Sequence, residues 1–155
     1  MSNLDDLYRE IILDHYRTPR NRGELASPPA VRVEGFNPLC GDELVVYLNV
    51  DNGVVTDIKL SGHGCSISQA SSSMMSVAVK GKAVVEVHAI IDRFKEMMTL
   101  KERSLDDQGE PIILDLRTLG EIAALAGVVK FPVRIKCATL AWNTLAQALA
   151  DVAPS

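Results

Sequence analysis

Cysteine is scarce in this chain of 155 residues, which holds three, an odd number. That is too few for a disulfide framework, so the small secreted scaffold class is excluded and the thiols are expected to be free, in a reducing cytoplasm. Basic clusters are also missing. Lys and Arg number 16 against 20 Asp and Glu, for a net charge of −4 and a pI near 5.3. No stripe of positive charge forms, and nucleic acid is not an expected partner. No apolar run approaches the roughly 18 residues needed to span a bilayer. The N-terminal MSNLDDLYREIILDHYR, charged from Asp5 onward, lacks the apolar stretch of a secretory signal, so no membrane association is expected. Internal repeats and low-complexity linkers are absent as well.

What remains is the composition of a soluble globular protein: 47% hydrophobic and 23% charged residues, with a mean hydropathy of +0.11. The length suits a single domain over residues 1–155 with an ordinary core. Leu4, Leu7, Tyr8, Ile11 and Ile12 recur at helical spacing, with Ser2 or Asn3 as a cap. Pro19 ends this helix near Thr18, and RTPRNRGELASPP is a loop. AVRVEGF, ELVVYLNV and VVTDIKL read as three strands. Asn52-Gly53 joins the last two as a hairpin, because both turn positions accept positive φ.

From Cys65 the pattern becomes helical. CSISQASSSMMSVAVKGK sets Ile67, Ala70, Met74, Val77 and Ala78 on one face and ends near Gly81. AVVEVHAIIDRFKEMM sets Val84, Val87, His88, Ile91, Phe94 and Met98 on one side. LKERSLDDQGEP is polar and loop-like, and TLGEIAALAG predicts a short helix between Gly120 and Gly127. A final helix is expected from near Cys137 to about Val152. The sum is an α+β fold, a three-stranded antiparallel sheet with helices packed on one face.

The three cysteines all fall at junctions of these elements. Cys40 lies in NPLCGDEL, a turn entering the second strand; Cys65 lies in SGHGCSIS, a glycine loop before a helix; Cys137 lies in FPVRIKCATLAW, at the start of the last helix. Junctions can converge at one rim of a small sheet, a bias that cysteines serving only as core residues need not show. Cys65 and Cys137 would each sit at a helix N-terminus, whose partial positive charge and free N–H groups stabilise a thiolate, and Arg134 and Lys136 push the same way. Thiolates bind metal and also attack sulfur, so the pattern supports either a metal site or a nucleophile.

Three thiolates are one ligand short of a tetrahedral zinc site. Asp42 and His63 are the candidates for the fourth. Cys40 and Asp42, two apart, face the same way in a strand, and Gly41 between them allows close backbone approach. Histidine is the commoner zinc ligand, but His63 sits in a glycine loop where it can simply be solvated. The residues alone leave both open. His15 and His88 read as structural or surface groups, the Met74-Met75 and Met97-Met98 pairs as core filler, and Trp142 as a packing anchor.

NPLCGD, GCSIS with its serine-rich helix and VRIKCATLAW, in this order, together with LYREIILDHYRTPRNRG, resemble the U-type iron–sulfur cluster assembly family, the IscU/NifU N-terminal type. The resemblance covers nearly the whole chain. It implies the α+β fold above and a metal set of Cys40, Asp42, Cys65 and Cys137 at one end of the sheet. Scaffold members of the family carry a histidine directly before the third cysteine and an LPPVK-type motif; here Lys136 and FPVRIK stand in those places. The stretch from about 101 to 126 resembles the insertion of the other, zinc-containing SufU-like branch.

That branch implies a zinc-dependent sulfurtransferase acting as co-substrate and activator of a SUF-type cysteine desulfurase. The pyridoxal phosphate (PLP) belongs to that partner. Cys40 would accept the persulfide sulfur, freed from zinc when a desulfurase histidine takes its place, and pass it to the SUF cluster-building complex. Persulfide on Cys137 stays open, since scaffold members use the last cysteine. Arg134 and Lys136 would support the ligands or the docking surface, Arg134 otherwise being a solvated charge. The alternative is an iron–sulfur scaffold that assembles a cluster on the same residues.

Overall fold

A computed structural model describes residues 3–27, 29–106 and 120–152. Helix α1 (Asn3–Arg17) is followed by strands β1 (Val31–Asn37), β2 (Asp42–Asp51) and β3 (Val54–His63). Then come α2 (Ser66–Val79), α3 (Val84–Asp106), a 3-10 segment (Gly120–Lys130) and α4 (Pro132–Asp151). The strands form one antiparallel sheet in the order β1-β2-β3, as the meander predicts. Asn52 and Gly53 both take positive φ, 51° and 74°. This lets a two-residue turn close on the Asp51–Val54 pair with the twist the strands need.

Alternation along the strands separates two faces. Val33, Leu44, Val46, Leu48, Ile58 and Leu60 are buried towards the helices, while Arg32, Glu34 and Glu43 are exposed on the other side. The Arg32 guanidinium lies 5.9 Å from the Tyr47 ring centre on that open face. The outer edge of β3 is covered at two places. Leu60 exchanges hydrogen bonds with Asn21 O and Gly23 N (2.8 and 3.0 Å), and Val55 does so with Lys82 O and Gly81 N (2.9 and 2.8 Å).

The helices depart from the sequence pattern in ways that packing explains. In α2 the expected apolar face is only partly buried: Val77 is 52% exposed, whereas Ser68, Ser71, Ser72, Ser73 and Ser76 are buried. This helix packs between α1 and α4, and small serines let it be enclosed on several sides while their hydroxyls find local partners. Gly81, with φ of 83°, turns the chain just past its end, as expected. In α3, Val87, Ile91, Phe94 and Met98 are buried as expected, but His88 is exposed beside the apolar face. Leu7 of α1 is likewise exposed. Helix α3 runs through the polar LKERSLD to Asp106, which the sequence reads as a loop.

Of the insertion-like stretch, 101–106 thus belongs to α3 and 120–126 to the 3-10 segment, while 107–119 lies outside the described residues, as does the candidate cap Ser2. Helix α4 begins at Pro132, ahead of the expected start at Cys137, because proline suits the first helical turn, where its missing N–H has no helical partner. Trp142 of α4 is fully buried and stacks on Phe94 at 4.4 Å between ring centres. Among the described residues, no helix is long and apolar enough to cross a membrane.

Candidate metal centre

The strands β1 and β2 pair down to Asn37 opposite Asp42, and residues 38–41 form the turn between them. Cys40 lies in that turn, half-buried, rather than in the strand. Its convergence with Asp42 therefore comes from the turn and not from strand alternation. Gly41 provides the positive φ, 67°, that the turn needs, and a Cβ there would meet no protein atom within 4 Å. The backbone comes closest to the site at Gly64, where a Cβ would stand 2.6 Å from Asp42 Oδ1.

Asp42 has no exposed surface. Its Oδ1 accepts from the Cys65 backbone N–H at 2.9 Å, and its Oδ2 from Asn37 Nδ2 at 3.2 Å. Cys65 is the N-cap of α2, as its sequence position predicts, and its sulfur accepts from Ser68 N at 3.5 Å. Cys137 sits in the second turn of α4, fully buried, with its thiol 2.9 Å from Cys40 Sγ and 3.5 Å from Asn37 Nδ2. Donor atoms of Cys40, Asp42 and Cys137 lie within 4.8 Å of one another. Cys65 stands outside that close trio but adjoins it, through its N–H on Asp42 and its place beside Cys40 in the lining of one groove. His63 does not join: its ring is exposed and pairs with Glu43, 3.2 Å from Nε2 to Oε2.

Burial, then hydrogen bonds with Cys40, Asp42 and Cys65, pushes the Cys137 thiol well above its ordinary range. Burial outweighs the lowering expected from a helix start and the neighbouring cations, because Cys137 lies inside the helix with no exposed surface. Arg134 is exposed at the mouth of the site, with Nη1 4.0 Å from Cys40 Sγ. Its guanidinium is pushed further up by the Cys137 thiol and by Cys65. Lys136 is exposed on α4. An open, largely apolar groove leads to Cys40 and Cys65 past Leu39, Ile67, Phe131 and Val133.

These residues fit a bound cation. Asp42 is a buried carboxylate that, among the described residues, pairs with no cationic side chain. Such a charge is costly to bury without a counter-ion. A thiol that burial holds protonated becomes a thiolate only with positive charge beside it. Sulfur donors with one carboxylate suit zinc, and three or four sulfurs also suit an iron–sulfur cluster. Asn37 and Gly64 are parts of the site that sequence reasoning missed. The Asn-Pro step and the paired glycines of SGHG were their only signals.

Residues 7–138 match the NifU-like N-terminal domain model. The chain is 45% identical to the zinc-dependent sulfurtransferase SufU of Bacillus subtilis, over 96% of this chain and 93% of that one. It is 42% identical to the iron–sulfur cluster assembly scaffold protein IscU of Streptococcus pyogenes, over 96% and 86% of the two chains. Its fold superposes with a TM-score of 0.78 on a proposed iron–sulfur cluster assembly scaffold protein for the SUF system from Fervidobacterium islandicum, at 33% identity, covering 90% of this chain and 94% of that one. With the family model matched over most of its length and the cysteine-aspartate centre assembled, the chain belongs to the NifU-like N-terminal domain family.

Proposed function

We propose that the protein is a zinc-dependent sulfurtransferase of iron–sulfur cluster assembly, taking persulfide sulfur from a SUF-type cysteine desulfurase and handing it to the SUF cluster-building complex in the cytoplasm. The observation that carries this reading is the division of labour among the thiols. Cys137 has no exposed surface, whereas Cys40 is half-buried in a turn beside the groove. Cys40 rather than Cys137 is therefore the acceptor, and Cys65, equally half-buried but capping α2, stays as a ligand with Asp42 and Cys137. Zinc, bound by these four residues, supplies a redox-inert charge that keeps the sulfurs as thiolates.

The transfer itself needs no oxidant. The Cys40 thiolate attacks the outer sulfur of the donor's persulfide; a new S–S bond forms on Cys40, the donor's S–S bond breaks, and the donor leaves as a thiolate. Arg134 at the mouth favours the anions on either side of this exchange. Exposed Leu39, Phe131 and Val133 around Cys40 offer the donor protein an apolar approach surface. Lys136, exposed where scaffold relatives carry a histidine, leaves that position without a ligand.

The second reading is a scaffold that assembles an iron–sulfur cluster on the same residues. It is favoured by the scaffold name of the Streptococcus pyogenes relative. Metal analysis of anaerobically purified protein, combined with cysteine turnover by the desulfurase, separates the two. Stoichiometric zinc and stimulated turnover are expected; a labile cluster without stimulation would overturn the transfer reading. Trapping the persulfide after incubation with desulfurase and cysteine, then mapping it by mass spectrometry, is expected to label Cys40. Label on Cys137 alone would refute the assignment.

A further inference from the structure

We propose that Asn37 is a positioning residue of the metal centre, a single amide that sets the Asp42 carboxylate, the Cys137 thiol and the Cys40 turn relative to one another. The side chain is only 5% exposed. Its nitrogen donates to Asp42 Oδ2 at 3.2 Å and to Cys137 Sγ at 3.5 Å. Its oxygen accepts from the Leu39 backbone N–H at 3.3 Å. Both N–H donors of the amide are thus directed at Asp42 and Cys137, and its oxygen at the turn.

The placement follows from the hairpin. Asn37 is the cross-strand partner of Asp42, and the intervening turn holds Cys40. A bond from an asparagine oxygen to the N–H two residues on is a short local turn mimic. Here it fixes the start of the loop that presents Cys40. The amide has one workable orientation, because flipping it would set its oxygen against the Asp42 carboxylate and leave the Leu39 N–H facing an NH2 group. Asn37 and Cys137 are separated by 100 residues in sequence, so the same side chain ties the β1–β2 turn to α4. Groups of this kind, which orient ligands without binding the ion, govern how well a preformed site matches its metal.

The inference rests on the zinc reading above and makes a separate claim about Asn37. Its test uses the full chain loaded with zinc or with cobalt(II), whose visible spectrum reports ligand number and geometry. Asn37→Ala removes all three bonds. Asn37→Asp keeps an acceptor for the Leu39 N–H but turns the donor facing Asp42 and Cys137 into an anion. Both variants are expected to bind zinc about 10- to 100-fold more weakly in chelator competition and to shift the cobalt bands.

If Asn37→Asp binds zinc as tightly as wild type or tighter, or keeps the wild-type cobalt spectrum, Asn37 merely caps the turn and the proposal is overturned. Wild-type behaviour of Asn37→Ala overturns it too. Should Asn37→Ala fail to fold, Asn37→Asp decides. A wild-type protein that takes up neither metal would remove the zinc reading and this proposal together; a metal-binding wild type with unchanged variants would remove only Asn37.

Discussion

At the level of single residues, Asp42 is where the demands of the site meet. It is wholly buried, it accepts from the Cys65 backbone, and its donor atom lies within reach of Cys40 and Cys137. Asp42→Ala removes the proposed carboxylate ligand and also leaves the Cys65 N–H without its acceptor. Zinc affinity is expected to fall by at least the 10- to 100-fold or so typical of losing an outer partner of a metal site, with faster modification of Cys40 by thiol reagents. Chelator competition measures the first and a thiol assay the second; unchanged affinity would return His63 as the ligand. Gly64 carries a second prediction. The methyl of Gly64→Ala would meet Asp42 Oδ1 at 2.6 Å, and the buried carboxylate can retreat only by giving up its bonds from Cys65 N–H and Asn37 Nδ2. A loss of about 1–3 kcal/mol in urea unfolding is expected, as for other overpacked sites, together with weaker zinc binding. Full stability with intact zinc affinity would show that the carboxylate has room to move.

Among the elements, α2 and α4 determine where two of the three cysteines stand, and one buried serine joins the helices next to the site. Ser71 Oγ donates to Ala138 O at 2.6 Å and accepts from Trp142 Nε1 at 3.0 Å. Ala138 is the neighbour of Cys137, so this link holds α4 at the height that brings its thiol to Cys40. Ser71→Ala strands a buried indole N–H, while the Ala138 carbonyl keeps only its bond within α4. A destabilisation of about 1–3 kcal/mol is expected from denaturant unfolding, with a shift in Trp142 fluorescence; an unchanged midpoint and spectrum would mean that the indole finds another acceptor. The same helix shows why periodicity misjudged its face. Hydrophobicity ranks serine as polar, yet five serines of α2 are buried, because close helix contacts select for small size and each hydroxyl can be satisfied nearby.

Across the whole molecule, His15 ties the N-terminal helix to the segment that leads into the site. It is 3% exposed, with Nδ1 2.8 Å from Ser73 Oγ and Nε2 2.6 Å from Glu121 Oε2. These contacts connect α1, α2 and the start of the 3-10 segment, whose far end reaches Phe131 and the groove at Cys40. Because Glu121 is mostly exposed, its loss should loosen that segment locally rather than unfold the protein. Glu121→Ala is therefore expected to speed backbone hydrogen exchange across 120–130 by a few-fold, with the thermal midpoint little changed, as followed by mass spectrometry. Unaltered exchange there would mean that apolar packing by itself holds the segment.

The strands, the Asn52-Gly53 hairpin, the meander and the helical character of most of the rest were legible in the sequence, because period-2 alternation, turn chemistry and helical spacing are properties of neighbouring residues. So were the candidate ligands, in part: three cysteines stand at element junctions whatever the packing, while the residues alone leave Asp42 and His63 both open for the fourth place. Only the tertiary structure decided that Asp42 joins Cys40 and Cys137 while His63 turns to Glu43, that Cys137 is sealed inside α4 and Cys40 left accessible, and that Asn37 and Gly64 shape the cradle. Those outcomes depend on contacts between residues 23, 97 and 100 positions apart. No local pattern encodes which partner a side chain will meet across such distances; the packing of α4 and α2 against the end of the sheet does.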